Sequence, residues 1–286
     1  MLAAVAILFC FTAPAFAQKD KEKKPIGPLI KRTTVRHETA RLPFGGTVTL
    51  SAAPAGSIVI EGWQRNEVDI EATIELQAPS AADLDRISVF NTFVLDEDLN
   101  HLRIMTSGTH DRALMKSIGK GFPKELLGLP WKIDFRIKIP AMTDLVVDAG
   151  IGPIKLSGVE GSLQLNALSS DADLTLTGGL VSVLIQNGKM NLKIPSRSWR
   201  GLSAEFKMAA GTLNVELMPG FSGEINADVL RAGQVKSNFP DLQPRDRNGI
   251  TPQSIRGRAG NGGATLNFTV GDGAIVINQS GEGGQE

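Results

Sequence analysis

The sequence predicts an all-β protein, a β-solenoid of stacked coils with about twenty residues and two strands per repeat; a β-sandwich is the alternative. The first observation is a rhythm. Between residues 145 and 227 the apolar pairs Leu145/Val147, Ile154/Leu156, Leu163/Leu165, Leu174/Leu176, Val183/Ile185, Leu192/Ile194, Ala204/Phe206, Leu213/Val215 and Ile225/Ala227 start 9, 9, 11, 9, 9, 12, 9 and 12 residues apart. Alternation within each pair is the period of a strand, and every second pair repeats after 18 to 21 residues. The second observation is the scarcity of amphipathic helices, which a parallel sheet otherwise needs as crossovers. The third is that only Asn187-Gly188 offers a hairpin dipeptide between the strands of this array, which favours the solenoid over the sandwich.

From the start of the chain, residues 2–11 are an apolar run and Ala15-Phe16-Ala17 is a small-x-small cleavage site, so residues 1–17 read as a signal peptide cut after Ala17. This implies an extracytoplasmic protein, periplasmic or secreted. The run is too short to span a bilayer, and no integral membrane segment follows it. Cleavage removes Cys10, the one cysteine, so no disulfide supports the exported chain. Residues 18–41 read as a basic flexible linker, with eight Lys or Arg against three Asp or Glu in 19–41.

A single solenoid domain is predicted over 42–278. Val48/Leu50, Ile58/Ile60, Val68/Ile70 and Ile74/Leu76 open it in the same rhythm, with corners around Pro54-Ala55-Gly56 and Gly62-Trp63. Residues 80–90 read as a short helix with Ser80 as its N-cap. Next, 93–95 and 102–105 flank Asp96-Glu97-Asp98-Leu99-Asn100 as a hairpin with an acidic tip. Two irregular insertions interrupt the array, at 109–130 and 238–261, and loops of that length commonly carry function. Strict alternation of Ile133, Phe135, Ile137 and Ile139 marks the strand between them, and two final strands are expected at 264–270 and 274–278. The ends of the stack are expected near residues 42–48 and Ile275, with 279–286 a disordered tail.

The segments 56–70 (GSIVIEGWQRNEVDI) and 145–165 (LVVDAGIGPIKLSGVEGSLQL) carry a strand, a Gly-Trp corner and glycine-bounded rungs. In these residues the chain resembles a bacterial domain-of-unknown-function family labelled "putative adhesin", similar to the head domain of autotransporter adhesins. The resemblance spans roughly 42–277. It implies an extracytoplasmic β-solenoid and brings no catalytic residues with it.

The charge total, 30 basic against 30 acidic residues, argues against a nucleic-acid binder. No metal or cofactor is expected: His37, His101 and His110 lack ligand spacing, and Gly257, Gly260, Gly262 and Gly263 fit no phosphate loop. Ser117-Ile-Gly-Lys120 has the spacing of an acyl-enzyme motif but sits among glycines rather than on the helix that motif requires. Carbohydrate-active β-helices gather carboxylates on one face, for which Asp148, Asp171 and Asp173 are the candidates. With no tyrosine and three tryptophans, the sequence-level binding candidate is Trp199 with Arg197 and Arg200, in the turn Pro195-Ser-Arg-Ser-Trp-Arg200.

The function that follows is an exported, non-enzymatic, adhesin-like binding or scaffold module of the cell envelope, whose partner is an envelope or extracellular protein or a glycan. A polysaccharide-active β-helix enzyme and an envelope-stress structural module are the alternatives.

Overall fold

A computed structural model describes residues 27–245, 247 and 249–281. The predicted signal peptide, residues 18–26 of the predicted linker and residues 282–286 of the predicted tail lie outside them. The chain is all-β. Its elements are β1 (Ile30–Arg41), β2 (Thr47–Ser51), β3 (Ile58–Trp63), β4 (Glu67–Ala78), α1 (Ala81–Ser88), β5 (Thr92–Asp98), β6 (His101–Ser107) and α2 (Arg112–Ile118). Then follow β7 (Trp131–Pro140), β8 (Asp144–Ile151), β9 (Ile154–Ser157), β10 (Leu163–Thr175), β11 (Val181–Ile194) and β12 (Ser203–Leu217). The last are β13 (Gly223–Val229), β14 (Gly233–Ser237), β15 (Leu242–Pro244), β16 (Ser254–Ala259) and β17 (Thr265–Gln279).

All seventeen strands join one large, open, mixed sheet. Each of β10, β11, β12 and β17 pairs in parallel register on both sides of a bend, so two ladders diverge from these four strands. The first ladder runs β5, β6, β2, β8, the early halves of β10, β11, β12 and β17, then β13, β16 and β15. The second runs β1, β4, β7, β3, β9, the late halves of the same four strands, then β14. In β10, β11 and β12 the apolar pairs of the sequence are therefore the two halves of one bent strand, whereas Leu145/Val147 and Ile154/Leu156 fall in two separate strands, β8 and β9.

The phase of burial records the bend. In β10 the buried residues are Leu163, Leu165 and Ala167, then Ser170, Ala172 and Leu174; in β12 they are Ala204, Phe206 and Met208, then Leu213, Val215 and Leu217. Odd and even positions exchange at the corner because the strand turns around the core, and a one-residue slip keeps apolar side chains inside on both sides. Both halves feed one continuous core, in which Phe206 stacks on Phe268 with ring centroids 5.6 Å apart. Asn187-Gly188 makes no hairpin; it is the corner of β11.

The predicted linker needs correction over its second half. β1 pairs antiparallel with β4 along all twelve of its residues, and its charges meet partners, Lys31 with Glu75 at 2.6 Å and Arg32 with Asp85 at 2.7 Å. Charge there suits a sheet edge, since it discourages pairing with another chain. Two further corrections concern the C-terminal region. The irregular stretch 238–261 contains β15 and β16, which pair antiparallel with each other, and β16 pairs with β13. β17 is a single strand inserted between β12 and both β13 and β14, so β14 and β15, not the neighbourhood of Ile275, form that end of the ladders. At the other end β1 and β5 are the edges.

The short helix and hairpin stand as predicted. Ser80 caps α1 by accepting from the Asp83 N–H, and α1 buries Leu84 and Ile87. β5 and β6 form the antiparallel hairpin. The first irregular insertion, 109–130, contains α2, capped by the Asp111 carboxylate, which accepts from the N–H groups of Ala113 and Leu114.

Candidate functional site

The tryptophan and arginines singled out in the sequence lie in one turn but differ in exposure. Trp199 is buried, and its indole N–H donates to the Gly179 carbonyl at 3.1 Å, so its ring has no free face for a sugar. The alternating rhythm gives no warning of this, because Trp199 lies in a turn. Arg200 is exposed but committed, donating to Glu160 at 2.9 Å and to the Thr177 hydroxyl at 2.6 Å. Arg197 is exposed beside them, and its main-chain carbonyl accepts from the Ser222 N–H.

The three aspartates are divided between the ladders. Asp148 lies on the first and accepts from the Asn166 amide at 2.9 Å, whereas Asp171 and Asp173 lie on the second. Asp148 stands in register with Asn166, on the other side of the bend from Asp171. Asp171 accepts from the Lys189 N–H at 3.1 Å. Ser117 donates to the Leu114 carbonyl of its own helix. His37 pairs with Asp69, His101 with the Thr49 hydroxyl, and His110 packs on the Trp131 ring. Burial holds the His110 imidazole below its ordinary pKa, against the opposing pull of Asp111. Among the described residues no group of three metal-ligating side chains occurs, and no helix is long and apolar enough to cross a membrane.

What the fold does assemble is a polar groove on the outer side of the second ladder. Parallel register sets Asp173 beside Asn191 and Asn191 beside Asn214. The Asn191 amide donates to Asp173 at 2.8 Å, and the Asn214 amide donates to the Asn191 side-chain oxygen at 2.9 Å. Lys189, Lys193 and Glu216 flank this row, and together they bound a groove of about 520 Å³. Beneath it Ala172, Leu174, Met190, Leu192, Leu213 and Val215 are buried, which fixes the outward side chains to a rigid floor. The outward positions Asp173, Asn191 and Asn214 are 18 and 23 residues apart, one each on β10, β11 and β12. That polar repeat was available in the sequence, but the apolar repeat beside it drew the eye to the inward positions.

The same ladder carries a second polar cluster further towards β1. Burial raises the pKa of Asp134, but the Lys132 ammonium and the backbone N–H and hydroxyl of Ser57 outweigh it and hold the carboxyl below its usual range. Lys132 is raised in turn, chiefly by its hydrogen bond to Asp134. Glu75 is lowered by its hydrogen bond from Lys31. These groups neutralise one another and tie β7 to the chain before β3; they are a clamp rather than a site.

No family model matches the chain, and no curated protein does. Solved structures that resemble it include the following. A "putative cell adhesion protein" from Clostridium sporogenes is 13% identical, with 86% of this chain and 100% of that one covered and a TM-score of 0.43. A "putative adhesin" from Bacteroides fragilis is 10% identical over 86% of this chain and 97% of that one, with a TM-score of 0.34. A "putative lipid binding protein" from Parabacteroides distasonis is 10% identical over 86% and 96%, with a TM-score of 0.27.

Proposed function

We propose that the protein is an exported, non-enzymatic binding module: a β-solenoid that presents its second ladder to an extended polar polymer, a glycan of the cell envelope or its surroundings. In this reading each coil is one long bent strand and its return turn, stacked in register on the next. The observation that carries it is the row Asp173, Asn191 and Asn214 on β10, β11 and β12, with Lys189, Lys193 and Glu216 beside it. Such a row offers amide, ammonium and carboxylate groups to hydroxyls at the strand spacing of about 4.8 Å, across the strands rather than along them. The lining is mostly polar, with eight of its ten residues charged, amide or hydroxyl, which suits a hydrated polymer.

Binding of this sort is the sum of several weak contacts, so it depends on ligand length. The test is titration of the protein with a panel of neutral and acidic polysaccharides cut to two and to eight sugars. The reading requires at least one polymer whose octamer binds at least tenfold more tightly than its dimer. Equal affinity for dimer and octamer, release of shortened product, or no binding across the panel would sink it.

A further inference from the structure

The insertion between β6 and β7 holds a groove unlike the polar one. It encloses about 750 Å³, with Phe122, Pro123 and Leu127 on its apolar floor and Met115 of α2 on one wall. A second hollow of about 420 Å³ shares Phe122 and Pro123 with it and is also lined by Arg86, Val89 and Phe90. Phe90 and Phe122 meet edge to face, with ring centroids 5.4 Å apart.

This groove is not a packing defect of the core. Leu126 and Leu129 of the same insertion are buried and seal the core. Helix α2 buries none of its side chains, and seven residues are too few to form a stable helix alone. Its Leu114, Met115 and Ile118 are half-buried, so α2 shapes the groove while contributing nothing to the interior.

The charge around the groove is net positive. Arg112, Lys116 and Lys124 line it against the single carboxylate of Glu125. Among the described residues none of these three cations makes an ion pair, whereas Arg65, Arg103, Arg200, Arg231, Arg245 and Arg256 each do. An apolar channel open to solvent beside unpaired cations matches a ligand that is apolar along its length and anionic at one end. A purely ionic ligand would leave the Phe122 floor wet, and a neutral chain would leave the cations unused. Each hollow by itself falls in the ordinary range for small-molecule sites, on the order of 300–1,000 Å³.

We propose that the insertion binds a single-chain anionic amphiphile, its acyl chain lying along Phe122 and Pro123 and its head group held by Arg112, Lys116 and Lys124. A concave groove takes in one chain from solution, whereas docking on a bilayer would call for apolar side chains that project. The site is separate from the polar groove and does not depend on it.

Calorimetric titration with palmitate and with lysophosphatidylglycerol, both below their micelle concentrations, tests this. Lysophosphatidylcholine serves as the zwitterionic comparator and phosphatidylglycerol vesicles as the bilayer arm. The expected result is saturable binding of one anionic amphiphile per chain, at least tenfold tighter than the comparator. The triple variant R112E/K116E/K124E should lose at least tenfold while its thermal melt stays that of the parent, because all three side chains are exposed. Binding to vesicles without binding to monomers, equal affinity for the zwitterionic lipid, indifference to charge reversal, or no binding of either anionic amphiphile would each overturn the proposal.

Discussion

A Cβ placed on Gly211 would stand 1.9 Å from the carbonyl oxygen of Gly188 on the neighbouring strand. The contact recurs along the corner: on Gly188 it would stand 2.1 Å from the Ser170 carbonyl oxygen, and on Gly273 1.8 Å from that of Gly211. All three glycines have φ between 128° and 140°, which L side chains rarely adopt. Backbone meets backbone there, so no side chain can yield. Gly211→Ala should cost about 3 kcal/mol or more, since strain and overpacking add. Gly128→Ala, with open space around it, should stay within about 0.5 kcal/mol of the parent. Urea unfolding midpoints for the two variants check this, and similar midpoints would mean the corner is not tightly stacked.

Leu165 is fully buried in the early half of β10, and Phe206 lies against Phe268. Leu165→Asp should remove several kcal/mol, on the order of what an unpaired buried carboxylate costs. Phe206→Ala should remove about 3–5 kcal/mol. A fall in melting temperature of only a few degrees for either would place these residues outside the core.

The strands were legible in the sequence because inward side chains had to be apolar at alternate positions, and Leu163, Leu165, Leu174 and Leu176 are all buried where that rhythm put them. The bends were not, because a one-residue slip at Ser169-Ser170 or Asn187-Gly188 resembles the gap between two strands. β1 was hidden by its charges: an edge strand paired on one side alone has almost no apolar face, and only Ala40 of β1 is buried. The insertion of β17 beside β12 joins residues about sixty apart and leaves no local mark. For the site, Trp199 lies in a turn, where alternation carries no signal for burial, and the turn folds it inward.

The Asp134 carboxyl is held below its ordinary range when folded, so its contribution to stability is present above the unfolded pKa and is lost as pH falls through the folded one. Asp134→Asn should therefore be about 1–3 kcal/mol less stable than the parent at pH 7, with a gap that narrows below about pH 4. Chemical denaturation at pH 7 and pH 3 measures it. A gap that stays constant would contradict the assignment of Lys132 and Ser57 as its partners.

Trp199→Ala should cost about 3–5 kcal/mol of stability. Arg200→Ala should cost no more than about 1 kcal/mol, because its ion pair with Glu160 is exposed. Neither Arg197→Ala nor Arg200→Ala should change affinity for any polysaccharide that the protein binds. A selective loss of binding in either arginine variant would return the site to the turn at 195–200.

The central claim is that ligand lies across the row formed by Asp173, Asn191 and Asn214. Its most direct measurement compares polysaccharide affinity of the parent with that of the double variant Asn191→Ala/Asn214→Ala and of Asn166→Ala on the first ladder. The first pair should lose at least tenfold in affinity with little change in melting temperature, and the control should bind like the parent. Undiminished binding by the double variant, or an equal loss in the control, would contradict the account.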